Sequence, residues 1–170
     1  VPSVVVGLFV YTAFVLTLGM QRSGFAASIA LTILMIPVVV RSTEEMLRIV
    51  PRDLREASFA LGIPRWRTII KIVLPTAIGG IITGAMLAIA RVAGETAPLL
   101  LTTFLSQSIN TNPFAGPQAA LPTFIWDQFT SGTDASVDRA WGGALVLITL
   151  VMVLYAGAKI IARYTGIKRV

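Results

Sequence analysis

The 170-residue sequence contains no cysteine and no histidine. These absences exclude disulfides, thiol catalysis and the usual zinc sites. Charge is scarce as well: 13% of residues are charged and 55% are hydrophobic, far from the balance of soluble proteins. No P-loop lysine motif, H-E-x-x-H or G-x-S-x-G is present, so the sequence offers no enzyme signature and no ATP-hydrolysing site of its own. Asp127, Asp134 and Asp138 lack metal-ligand spacing and read as solvated loop charges. The net charge of +6 is grouped in two places. No soluble domain carries it, so nucleic acid is not an expected partner. Val1 opens directly on an apolar run without a basic leader, which argues against a signal peptide. The chain reads as the C-terminal part of a longer protein.

What the sequence does hold is long apolar runs. Four are expected to cross a bilayer, at about 4–20, 25–40, 75–97 and 141–161, each near the roughly 20 helical residues a crossing needs. The third apolar stretch continues from Pro75 to Leu105, roughly 45 Å of helix against a core of about 30 Å. Gly94 and Pro98 offer a break there. Residues 106–139 form an outer loop rich in Asn, Pro, Gly, Ser and Asp. Within it, Leu121, Phe124, Ile125 and Phe129 recur at helical spacing and predict a short amphipathic helix on the membrane surface.

Basic residues set the orientation. Residues 41–74 hold Arg41, Arg48, Arg52, Arg55, Arg65, Arg67 and Lys71, and the tail holds Lys159, Arg163, Lys168 and Arg169. The other connections hold only Arg22 and Arg139. The positive-inside rule puts the 41–74 loop and the C-terminus in the cytoplasm.

That loop contains EASFALGIPRWRTIIKIVLP, from Glu56 to Pro75. REASFALGIP predicts a short helix stopped by Gly62, with Pro64 just beyond. Leu54, Ala57, Ala60 and Leu61 share one face; Arg52, Arg55 and Glu56 stay available to solvent or a partner. RWRTIIKIV suits a membrane interface, with Trp66 as anchor and Pro75 in the first turn of the next span. A helix–turn–helix between two spans suggests a docking knob.

The spacing of Glu56-Ala57-Ser58, Gly62, Ile72, Leu74 and Pro75 resembles the EAA loop of type I ABC-importer permeases, with Ser58 in place of the third alanine. AIARVAGETAPLLLT (Ala88–Thr102), LPTFIW and RAWGGALVLITLVMVL are similar to the PstA-type permeases of phosphate-specific ABC importers. This resemblance implies an all-α membrane protein, four helices of a permease bundle with a cytoplasmic coupling helix. It implies inward movement of inorganic phosphate across a bacterial or archaeal cytoplasmic membrane. It further implies a second permease subunit, an ATP-binding subunit dimer that hydrolyses the ATP, and an extracytoplasmic phosphate-binding protein, with no cofactor on this chain. Glu56, Ala57, Ser58, Leu61 and Gly62 are then the coupling residues. A permease for sulfate or molybdate, or a membrane scaffold for phosphate sensing, are the alternatives.

Arg91 and Glu95 stand inside the third apolar stretch, where charges are costly and face a bundle interior or a wet cavity. At i and i+4 they can pair on one helix face. Thr76, Gly80, Gly84 and Ala88 form a small-residue ridge that permits close helix packing, and Arg91 and Glu95 extend it. A self-neutralised structural pair is one reading. In the other, Arg91 meets the anion in transit through its planar fork, with Glu95 and Thr96 beside it in the substrate pathway.

Overall fold

The computed structural model describes residues 2–165, with side chains through Ile160. Lys168 and Arg169, two of the cations expected to anchor the C-terminus, lie outside the described residues, as does the side chain of Arg163.

The described residues are helical apart from connections. Helix α1 (Ser3–Thr17) ends in a wide π-type turn over Tyr11–Thr17. Then come α2 (Gly24–Ile49), α3 (Arg52–Ala60) and α4 (Arg65–Ala93). Short α5 (Ala97–Thr102), α6 (Leu121–Thr130) and α7 (Asp134–Thr165) follow. Three helices, α2, α4 and α7, are long and apolar enough to cross a membrane. α1 is apolar but shorter and stops at Thr17, before the expected end at Met20.

Three boundaries differ from expectation for physical reasons. The stretch read as a loop from Arg41 is helical to Ile49. Its polar end is supported by the i,i+4 pairs Arg41–Glu45 and Arg48–Glu44, which favour helix continuation at an exposed surface; Pro51 then ends it. α4 likewise starts at Arg65, ten residues before Pro75. A proline within a helix leaves one carbonyl without its N–H partner, and the wide turn Ile69–Val73 lies directly ahead of it, where such a mismatch is absorbed. α7 begins at Asp134, well before 141, because Thr133 and Ser136 cap it reciprocally: Thr133 N donates to Ser136 Oγ at 3.1 Å and Ser136 N to Thr133 Oγ1 at 3.3 Å.

The chain sorts into two compact units. In the first, drawn from Val1–Ile36 and Ala90–Met152, Val6, Val10, Ala26 and Ala30 form a buried cluster. Gly7 of α1 lets α5 approach so closely that an added Cβ would lie 2.7 Å from Pro98 Cα. The connection between α5 and α6 is pinned by Ser23 N to Thr102 O (3.1 Å), Phe25 N to Pro113 O (2.8 Å) and Asn110 Nδ2 to Ala115 O (2.8 Å). Phe124 and Ile125 of α6 lie against Gly143 of α7, while Trp126 and Phe129 stay exposed. Part of the apolar face expected on a membrane surface is thus used inside the protein.

In the second unit, drawn from Pro37–Ile89 and Val153–Val170, α2 and α4 pack antiparallel. Gly84 faces Ser42 and Gly80 faces Met46, one helical turn apart on each helix. Val50, Val73 and Ala77 close the seam. On α4, Ala77, Gly84 and Ala88 are buried and Gly80 is half-buried. Thr76 is exposed and donates to the carbonyl of its own Ile72 at 2.6 Å.

Candidate functional site

The knob between α2 and α4 is built from the sequence as follows. α3 ends at Leu61, and Gly62 takes φ +72°, a conformation that costs glycine little and other residues more. Ile63 N then donates to Ser58 O at 3.2 Å and Gly62 N to Phe59 O at 2.9 Å, the paired closure that satisfies helix-terminal carbonyls. No side chain crowds Gly62; its role is conformational alone.

Ser58 is the only buried residue of α3, at 2% exposure, and its Oγ lies 2.7 Å from the Oγ1 of Thr68, at 1% exposure. Ser58 thus makes a buried hydroxyl pair between α3 and the first turn of α4. A second tie comes from Arg55, whose Nη2 donates to Leu47 O at 2.7 Å. These two bonds fix α3 against both long helices of its unit.

The shared face of Leu54, Ala57, Ala60 and Leu61 is solvent-facing, with Leu61 at 79% exposure. Phe59 and Trp66 are exposed beside it, and Glu56 points outward. In nine residues the single buried position leaves too little helix surface for internal packing. The knob presents an unpartnered apolar tip with an acidic flank.

In the other unit, α4 stops at Ala93. Gly94 N turns back to Arg91 O at 3.3 Å and Glu95 N to Val92 O at 3.1 Å. Thr96 precedes α5, whose Pro98 is wedged on Gly7. The break near Gly94 removes the helical i,i+4 geometry, and no Arg91–Glu95 ion pair forms among the described residues; the two ion pairs there lie on α2. Arg91 is exposed and Glu95 half-buried. A self-neutralised pair is therefore not what holds this bend. The fit of α5 to α1 is.

Sequence reasoning passed over Arg22. Its guanidinium carbon lies 4.9 Å from the Tyr11 ring centre and 4.5 Å from that of Phe104, and Nη2 donates to Tyr11 Oη at 3.1 Å. Phe104 holds φ +61°, alone among non-glycine described residues. A cation without a nearby acidic residue in sequence was the available signal; the aromatic partners, from two distant segments, were not legible.

A model of the family described as binding-protein-dependent transport system inner membrane component matches residues 1–166. The chain is similar to the phosphate transport system permease protein PstA 1 of Mycobacterium tuberculosis (strain ATCC 25618 / H37Rv), 50% identical over 169 residues, covering 99% of this chain and 54% of that protein. It is 55% identical over 151 residues to the phosphate transport system permease protein PstA of Mycobacterium leprae (strain TN), covering 89% and 50%. With the PstA protein of Yersinia pestis the identity is 46% over 160 residues, covering 94% and 54%. The chain spans about half the length of these relatives. A solved structure described as inward facing conformations of the MetNI methionine ABC transporter superposes with a TM-score of 0.78 at 21% identity, covering 97% of this chain and 69% of that one. That likeness is one of fold alone, an all-α helical arrangement.

Proposed function

The chain belongs to the family of binding-protein-dependent transport system inner membrane components, and from that membership we propose that it forms part of the permease of an ATP-driven importer of inorganic phosphate. The observation that carries the substrate is the 50% identity to a phosphate transport permease across 99% of this chain. The observation that supports the coupling role is the exposed α3 tip, an apolar surface at the apex of a corner tied to two long helices.

In this reading the knob faces the cytoplasm and seats on a separate ATP-binding subunit. Leu61 and Ala57 supply apolar contact there, Glu56 the charged edge and Gly62 the shape of the turn. Closure of the ATP-binding dimer displaces α3, and its ties to α2 and α4 carry the displacement into the membrane. Arg91, with Glu95 and Thr96 across the helix break, meets the phosphate in transit. An arginine without an internal ion-pair partner keeps its donors for a ligand, and its planar fork matches phosphate oxygens. The remaining partners are a second permease subunit and an extracytoplasmic phosphate-binding protein.

The test is ATP-dependent uptake of radiolabelled phosphate by the full-length permease reconstituted with these partners. Uptake resistant to excess sulfate and molybdate is the expected result. Preferential uptake of another oxyanion would reassign the substrate, and ATP hydrolysis without any uptake would favour a sensing scaffold.

A further inference from the structure

Where α2 hands over to α3, an open cleft of about 290 Å³ is lined by Glu44, Leu47, Arg48, Val50, Arg52 and Arg55. Three guanidinium groups face one carboxylate in this space. Glu44 is already engaged at the rim, bonded to Arg48 at 2.5 Å with both side chains mostly exposed. Arg52 is exposed and makes no ion pair among the described residues. Arg55 is the most enclosed of the three. One of its donors reaches Leu47 O, yet its Nε is buried and has no hydrogen-bond partner. A buried guanidinium N–H left unpaired is costly, and the rest of the Arg55 fork lines the cleft. The N-terminus of α3 has no side-chain cap at Pro51, and Asp53 in its first turn offsets part of its positive polarity.

We infer that this cleft is a binding site for a phosphate-type oxyanion, held by Arg52 and Arg55 with Arg48 at its rim. The chemistry follows from the donors. Two guanidinium groups converging on one space offer forked N–H pairs to an anion with several equivalent oxygens, and phosphate satisfies them better than a halide. The volume exceeds that of one oxyanion, so the cleft accommodates either a free phosphate with water or the phosphate end of a phospholipid headgroup. An occupied cleft would brace the Arg55 tie at the corner and so make the knob's stiffness depend on the anion. The site does not involve Arg91 and does not depend on which solute the chain moves.

The experiment reads the arginines individually. The full-length permease is placed in nanodiscs of phosphatidylcholine and treated with the arginine reagent phenylglyoxal, and modification of each arginine is followed by peptide mass spectrometry. One arm adds millimolar inorganic phosphate; the other replaces part of the lipid with phosphatidylglycerol and adds no phosphate. Arg65 and Arg67, exposed and outside the cleft, are the internal controls. Expected is roughly ten-fold slower modification of Arg52 and Arg55 in at least one arm, the scale of one good charge-assisted contact. Protection by phosphate identifies the free anion, and protection by phosphatidylglycerol the lipid. Arg52→Gln, at an exposed position that leaves the Arg55–Leu47 bond in place, should abolish the protection of Arg55. If neither arm protects the cleft more than the controls, the inference is wrong. It is equally wrong if protection appears only when an ATP-binding subunit is added, because the cleft would then hold a protein side chain.

Discussion

Replacing Ser58 by alanine deletes one oxygen from a buried pair, and the structure allows the cost to be worked out. The Oγ–Oγ1 separation is 2.7 Å and both residues are all but inaccessible. After Ser58→Ala, Thr68 Oγ1 keeps only Pro64 O at 3.4 Å, the far edge of a useful bond. The loss should be about 1–2 kcal/mol, a hydrogen bond plus part of the penalty for a stranded hydroxyl. Thr68→Val is close in shape and leaves Ser58 Oγ with no other partner among the described residues, so it should cost about 1–3 kcal/mol. The double variant removes both polar groups and should lie within about 1 kcal/mol of the parent, giving a coupling of about 1 kcal/mol or more. Thermal unfolding of the purified full-length permease, followed by tryptophan fluorescence, reads the stabilities, and ATP-dependent phosphate uptake reads the consequence for coupling. Each single change should lower both, and the double change should restore both. Strictly additive losses would show that the two hydroxyls do not act as a pair and that the α3–α4 corner is held by something else.

Gly62→Val forces a branched side chain into φ +72° with no steric neighbour to blame; the cost should be roughly 1 kcal/mol or more. ATP hydrolysis should persist while uptake falls, and uptake at the parental rate would make Gly62 a passive turn. Arg91→Gln should abolish uptake without loss of assembly, because no ion pair with Glu95 exists to be broken. Adding Glu95→Gln should therefore give no rescue, and substantial uptake by the double variant would remove Arg91 from the substrate path. A cysteine at Ser131 should react with an impermeant thiol reagent from outside and one at Thr43 should not; the opposite pattern would invert the orientation and the place of the knob.

The knob was legible because its determinants are local. Gly62 and Pro64 mark the end of a helix within a few residues, and the break at Gly94 and Pro98 is announced in the same way. The amphipathic repeat of Leu121, Phe124, Ile125 and Phe129 also gave a helix where one stands. Charge misled in two places. Arg41, Glu44, Glu45 and Arg48 looked like loop residues, but at i,i+4 spacing they carry the helix onward. Arg91 and Glu95 looked like a pair, but the same Gly94 that signals the break spoils the spacing the pair requires. Contacts between distant segments left no trace in any local pattern. Gly7 on Pro98 and Arg22 on Phe104 depend on tertiary approach.

The contacts described for the two units also differ in when a growing chain can form them. The α2–α4 seam, the Arg55 tie and the Ser58–Thr68 pair join residues of one continuous stretch, 37–89. Local contacts form early, and domains tend to close as the chain emerges from the ribosome. That hairpin can zip while α7 is still untranslated. Gly7 and Ser23, by contrast, must wait for Pro98 and Thr102, with the whole hairpin made in between. During synthesis α1 can meet α2 through Val6, Val10, Ala26 and Ala30 but still lacks α5, and in this interval its Pro98-facing side depends on the shelter of the insertion machinery.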